Sequence, residues 1–464
     1  MSAVTLAAIK IGGVMLDLEP WVTVVGAGLI TVVFSALGGF KGVVYSDFLL
    51  FFVAMVGAIG AAFYLVNLPE VGGVSAMMSN DLVKSKMNIL PELSDTKMVI
   101  TLLVIPLAVQ WWSSWYPGGE PGGGGYIAQR MLAAKNENHA IGATFFFNIM
   151  HYALRPWPWI LVALASLVVY PDIASIAEAF PNVSEDKLGH DLAYSAMLTK
   201  LPSGLLGLVL ASLVAAYMST ISTQLNWGSS YIVFDFYKKQ INPDATEKQM
   251  VNVGRLSTVI LMVLSAFLAL AMQNAMQIFD MLLLFGAGTG LIFILRWFWW
   301  RINAWTEISA MFASGILSIL LKATPLGPML FATDGGVFPD WGEIPFVMIV
   351  TSIIWLTATF VTQPESKEVL QSFYQKIQPG GPGWSKVVDE AKDSGIEIDK
   401  GEKWTVPSGI GAMLLGVVLI YSLMFSTGHW IYGKTTSAII MSVIALVSGL
   451  LLIRVWGKMK DNIL

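Results

Sequence analysis

Cysteine is absent from the 464 residues, which excludes structural disulfides and thiolate metal sites and leaves the redox compartment open. Charge is scarce. Only 12% of the residues are Asp, Glu, Lys or Arg, against about 25% in a soluble domain, so half the usual water-facing chemistry is missing. The four histidines, His139, His151, His190 and His429, lack a metal-ligand spacing of the H-E-x-x-H kind. A net charge of −4 gives no pointer to a nucleic-acid partner. Met1 opens directly into apolar sequence, without the basic region that begins a signal peptide. No nucleophile–base pair or catalytic metal cluster stands out, so an enzyme is not expected.

What is present is apolar. Hydrophobic residues make up 55% of the chain, and the remaining charges are bunched between long apolar runs, the pattern of an all-α polytopic membrane protein. At roughly 20 apolar residues per span, the chain reads as a first segment to Leu18, then spans near 21–38, 47–66, 98–130, 140–170 and 203–232. Further spans fall near 252–273, 276–295, 305–323, 344–363, 408–426 and 436–456. The first is short for a complete span: its apolar part runs from about Val4 to Leu16, with Lys10 inside it.

Cytoplasmic loops collect Lys and Arg, so charge tests the topology. With Arg454, Lys458 and Lys460 inside, alternation also puts inside Lys41, Arg130, Lys135, Lys238, Lys239, Lys248, Arg255, Arg296, Arg301 and the lysines from Lys367 to Lys403. The outer loops then hold a third as many: Lys84, Lys86, Lys97, Lys187, Lys200 and Lys434. The expectation is an integral plasma (inner) membrane protein with a cytoplasmic C-terminus. Its largest soluble piece is a cytoplasmic linker over 363–407, with an amphipathic start at Val369, Leu370 and Phe373 and a Gly/Pro break at Pro379–Gly383.

Three clusters carry chemistry. The stretch Trp111–Arg130, WWSSWYPGGEPGGGGYIAQR, interrupts one membrane helix with prolines and glycines. Broken helices free backbone carbonyls and amides that transporters use at the midplane. Trp112, Trp115 and Tyr116 offer flat apolar faces, Gly119, Gly122 and Gly123 an approachable backbone, and Glu120 an ionisable group where one is expensive. The alternative is a surface loop between two short helices, for which Lys97 to Arg130 has too few apolar residues. On the span Leu205–Tyr231, Ala216, Ser219 and Thr220 are spaced i, i+3, i+4 and share a face. Ser222 and Thr223 widen that face, and Asn226 follows. Hydroxyl and carbonyl oxygens suit a hard cation, and Asp47 at the start of another span could supply negative charge. Ser and Thr also line ordinary helix contacts in membranes. The third cluster is Asn148, His151 and Arg155 at i, i+3, i+7, where Arg155 needs a partner such as Glu120 or forms a structural ion pair. One further match, Gly428 to Thr435, has the G-x-x-x-x-G-K-[ST] pattern by coincidence. It joins two spans, without the strand a phosphate loop requires.

Several segments together resemble the sodium:solute symporter family. Phe34-Ser-Ala-Leu-Gly-Gly-Phe-Lys-Gly-Val-Val-Tyr-Ser-Asp47 is similar to that family's Y-T-x-x-G-G-L-x-A-V-x-x-T-D, and Gln129-Arg-Met-Leu-Ala-Ala-Lys135 to its Q-R-x-L-A-A-K. Leu201 through Met218-Ser-Thr-Ile-Ser-Thr-Gln-Leu-Asn226 to Asp235-Phe-Tyr-Lys238 resembles L-P-x-G-L-x-G-L, M-S-S-x-x-S-x-L-N and D-x-Y-K in order. The resemblance implies the leucine-transporter-type five-plus-five inverted-repeat fold. Residues 1–304 would be core helices three to ten, lacking the first two, and 305–464 about four peripheral helices. Roughly 70–110 further upstream residues with two or three spans are then expected.

The resemblance also implies that Ala216, Ser219 and Thr220 bind sodium, and that Asp47, Ser222 and Thr223 form a second cation site. Substrate would dock on Trp112, Trp115, Tyr116, Gly119, Glu120, Gly122 and Gly123, with His151 and Arg155. Sugar-carrying relatives have a glutamine where Phe279 aligns and a lysine near His151–Tyr152, so their substrate does not transfer. The expected function is sodium-coupled symport of a small organic solute, preferably a sugar or polyol, by alternating access. Its partners are the solute and the lipid bilayer, with no obligate protein partner evident. Symport of an organic anion or amino acid, and a non-transporting sensor or inactive fragment, are the alternatives.

Overall fold

The computed structural model describes residues 1–110, 130–183, 185–272, 275–331, 336–396, 398, 404 and 406–460, without the side chains of 33–47, 50, 109–110, 186, 275–282 and 459–460. Among the described residues the regular structure is entirely helical. Seven helices there are long and apolar enough to cross a membrane, or up to eight if a bent pair at the N-terminus is one span. The chain divides into two compact units, one of 1–88, 155–278 and 431–433, the other of 89–154, 279–430 and 434–464.

The first unit opens with α1 (Ser2–Leu16) and α2 (Pro20–Val66). Between them the chain turns by 116°. Asp17 adopts the left-handed conformation (φ 51°), which Asp tolerates better than most residues. Pro20 then starts α2 at a position where its missing N–H costs nothing. Two spans with Lys41 in a loop between them are expected here, and the structure differs: the helix runs unbroken for 47 residues. At 1.5 Å per residue that is roughly 70 Å, more than twice a ~30 Å hydrocarbon core. Gly38, Gly39 and Gly42 carry no proline with them, and an apolar stretch satisfies its backbone best by staying helical.

The unit is completed by α3 (Pro156–Val169), α4 (Ser203–Ser230) and α5 (Glu247–Ala271). Its core lies where α2, α3 and α4 meet, around Ala61, Leu65, Val162, Ala165 and Val209. Small residues let the backbones close: Gly60 stands where a Cβ would come within 3.2 Å of Leu205. Thr246 starts α5 with a reciprocal capping box to Gln249.

In the second unit, α6 (Ala275–Phe298, from Phe279 onward), α7 (Ala304–Ala323) and α8 (Glu343–Val361) form a bundle joined by hydroxyls. Asn303 caps α7, and its side-chain amide donates to Thr362 Oγ1 at 2.9 Å and Gln363 O at 3.0 Å. Thr306 and Thr359 share a hydrogen bond of 2.8 Å. The segment expected as a linker with an amphipathic start carries two helices of its own. Helices α9 (Lys367–Ile377) and α10 (Ser385–Asp393) close on Leu370, Tyr374, Trp384, Val387 and Ala391. Trp384 Nε1 donates to Trp297 O at 3.0 Å and Trp300 N to Gly383 O at 3.2 Å. Two long helices, α11 (Val406–Ile431) and α12 (Thr435–Lys460), follow, with Ser426 and Ser442 hydroxyls 2.7 Å apart.

Candidate ion and solute site

Helix α4 carries the hydroxyl-rich turn. Its helical periodicity puts Ala216 and Thr220 one above the other, and both line a cavity of about 250 Å³ in the first unit. The other walls are α1, through Val4, Ala8 and Ile11, and the first turns of α2, through Thr23 and Ala27. The cavity therefore exists because the α1–α2 elbow folds two helices across α4. Ser219 is half-buried and engaged in an interaction of its own, and it is not among the described residues that line the cavity. Thr223, one turn on, is half-buried as well.

The lining is mostly apolar, and its polar atoms are hydroxyls. Tyr217 OH and Thr23 Oγ1 are buried and complete no hydrogen bond among the described residues. Thr5 lies beside the Tyr217 hydroxyl, yet its own oxygen is equally unsatisfied. Ser222 is fully buried, with its Oγ also lacking a partner among the described residues. Orphaned buried hydroxyls ask for an explanation, and an unplaced water or ion is one. Among the described lining residues the oxygen-bearing side chains are Thr23, Tyr217 and Thr220. Asp47 lies within α2, but its side chain is outside the described residues.

The proposed substrate face divides differently. Trp112, Trp115, Tyr116, Gly119, Glu120, Gly122 and Gly123 all lie outside the described residues, and so does the pairing of Arg155 with Glu120. His151 belongs to the second unit, where its ring stacks on Phe147 at 5.0 Å and meets Tyr152 edge-on at 4.7 Å. Arg155 begins the next stretch of the first unit, with its guanidinium over the Trp159 ring at 5.3 Å. The Asn148 amide donates back to Thr144 O at 2.8 Å. A π-helical run at Ile149–Leu154 separates Asn148 from Arg155, and its wider turn breaks the α-helical spacing on which a shared face depends.

Sequence reasoning missed Thr5, Thr23 and Tyr217 as polar groups around the cavity. Thr5 and Thr23 follow no recognisable spacing relative to α4. It also left Lys10 without a partner, although an ammonium in an apolar helix signals that one exists. The partner is Asp191, 2.7 Å away.

The long apolar helices define a multi-pass integral membrane protein. The sequence profile of the sodium:solute symporter family matches residues 3–314, and the chain belongs to that family. It is similar to the sodium/glucose cotransporter of Vibrio parahaemolyticus, 26% identical over 316 residues, covering 66% of this chain and 57% of that protein. It is also similar to sodium/myo-inositol cotransporter 2 of Oryctolagus cuniculus, 27% identical over 395 residues, covering 76% of this chain and 56% of that protein. The chain thus spans little more than half the length of these cotransporters. A solved structure of a Na+-coupled sialic acid symporter aligns with a TM-score of 0.46 and 16% identity, over 78% of this chain and 74% of the other.

Proposed function

We propose that the protein is a sodium-coupled symporter of a small organic solute, preferably a sugar or polyol, working by alternating access. The observation that carries this reading is the turn Ala216–Thr220 lining a cavity with unsatisfied hydroxyls. The glucose and myo-inositol cotransporters among its relatives favour the broad class of uncharged polyhydroxylated solutes, while Phe279, where sugar carriers have glutamine, keeps the particular sugar from carrying over. In this reading sodium binds on Ala216, Ser219 and Thr220, while Asp47, Ser222 and Thr223 hold a second cation. The solute docks on the broken stretch around Trp112, Trp115, Tyr116 and Glu120. Residues 1–304 supply core helices three to ten of the five-plus-five fold, without its first two, and the C-terminus faces the cytoplasm of a plasma membrane.

The ion drives transport by binding one conformation better than the other. The electrical part of its gradient supplies about 2.3 kcal/mol per charge per 100 mV. An organic anion is the second reading, favoured by Arg155 and His151. Against it, the Arg155 guanidinium already lies over the Trp159 ring, which stabilises it in place without a carboxylate ligand. The deciding experiment is uptake into proteoliposomes of the full-length protein, comparing labelled glucose, myo-inositol and sialic acid under an inward sodium gradient. Accumulation of a neutral solute supports the proposal. Accumulation of sialic acid alone supports the anion reading, and sodium-independent behaviour with all three overturns both.

A further inference from the structure

We infer that the segment 185–192 is a permanent clasp that fixes α1 to α5, with Asp191 as a positioning residue for the α1 wall of the cavity. Lys10 lies near the middle of α1 with its side chain only 6% exposed. Its Nζ donates to both Asp191 oxygens, at 2.7 and 2.9 Å, across 181 residues of sequence. Four residues earlier, Lys187 reaches the other helix. Its Nζ donates to Met272 O at 2.5 Å and to Leu270 O at 3.4 Å, where the end of α5 leaves carbonyls without helical partners and a cation is favoured.

One short loop therefore neutralises a buried ammonium of α1 and caps α5 with an ammonium of its own. Apolar packing backs both contacts: Leu192 is buried with Val14 of α1, Ile176 and Ala196. Asn182 Nδ2 adds a hydrogen bond of 3.1 Å to Asp17 Oδ1 at the elbow. Gly189 completes the turn, since a Cβ there would stand 2.8 Å from Asp191 Oδ1.

The clasp is permanent because opening it strands a charge. Lys10 is 6% exposed and Asp191 38%, so losing the carboxylate leaves the buried ammonium uncompensated, whereas replacing both partners with apolar residues removes that buried charge. A loop that opened in every cycle would expose this cost each time. The inference does not depend on which solute is carried, because α1, α5 and the loop lie in one compact unit.

Amide hydrogen–deuterium exchange of the peptide covering 185–198, in the full-length protein, tests it. D191N should speed exchange about tenfold or more, and K10M/D191L should return it to within about threefold of the wild type. G189A should fall between them. In the wild type, adding sodium should change the rate by less than about twofold. Three results overturn the clasp: D191N exchanging like the wild type, K10M/D191L exchanging as fast as D191N, or a sodium-dependent change of tenfold or more in the wild type. The last needs no variant to fold.

Discussion

Thr220→Val removes one oxygen from the cavity while keeping the shape of the side chain. Thr220 sits on the wall of the 250 Å³ cavity, one turn from Ala216, so a cation resting on that turn loses a direct ligand and nothing else. Hydrogen bonds to charged groups contribute about 1.5–3 kcal/mol, and a hydroxyl–sodium contact is taken as similar. At RT of about 0.59 kcal/mol that is roughly a 10- to 150-fold rise in the sodium concentration for half-maximal uptake, with Ser219→Ala adding to it. The packing is nearly unchanged, so protein yield and melting temperature without sodium should match the wild type. The assay is solute uptake into proteoliposomes across a sodium series with choline as replacement. A half-saturation within twofold of the wild type would refute the reasoning, because a ligand oxygen cannot be removed that cheaply.

Ser222→Ala deletes a buried oxygen with no partner among the described residues. If it serves a second cation, the steepness of the sodium dependence should fall towards a Hill coefficient of one. If it serves none, the change should be neutral or slightly stabilising. Gly383→Ala would drive a Cβ into Phe298 O and unseat the bond from Trp300 N. A local loss of about 2–3 kcal/mol should appear as faster proteolysis within 366–398. Burial pushes the Tyr194 phenol up to about 12, against the pull of a hydrogen bond with Trp159. Its folded pKa lies above the unfolded value of about 10, so the stability it contributes is complete below pH 10. That contribution, about 2–3 kcal/mol, is lost as pH rises from 10 to 12. Tyr194→Phe should flatten that alkaline loss in thermal melts.

From α4 onwards, the fold was legible where apolar runs end in recognisable punctuation. Pro202 before α4, Thr246 before α5 and Asn303 before α7 mark starts within a few residues of the expected spans. Local signals misled where tertiary context decided. Gly38, Gly39 and Lys41 read as a turn, yet α2 passes through them. The Gly/Pro break at Pro379–Gly383 was legible and falls between two helices, but nothing local says that Trp384 will seat against the carbonyl of Trp297. In the site, the shared face of Ala216 and Thr220 follows from helical periodicity alone. The α1 wall, the unsatisfied hydroxyls of Thr5 and Thr23 and the Lys10–Asp191 pair depend on contacts between residues far apart in sequence, which no spacing rule reaches.

The central claim is that sodium rests on the Ser219–Thr220 turn and is linked to the solute. Equilibrium binding of radioactive sodium to the purified full-length protein, with and without solute, tests it most directly. Linkage requires each ligand to raise the affinity of the other by the same factor. The account predicts tighter sodium binding in the presence of solute and loss of that binding in Ser219→Ala/Thr220→Ala. Sodium binding that is unchanged by both the solute and the double substitution would contradict it.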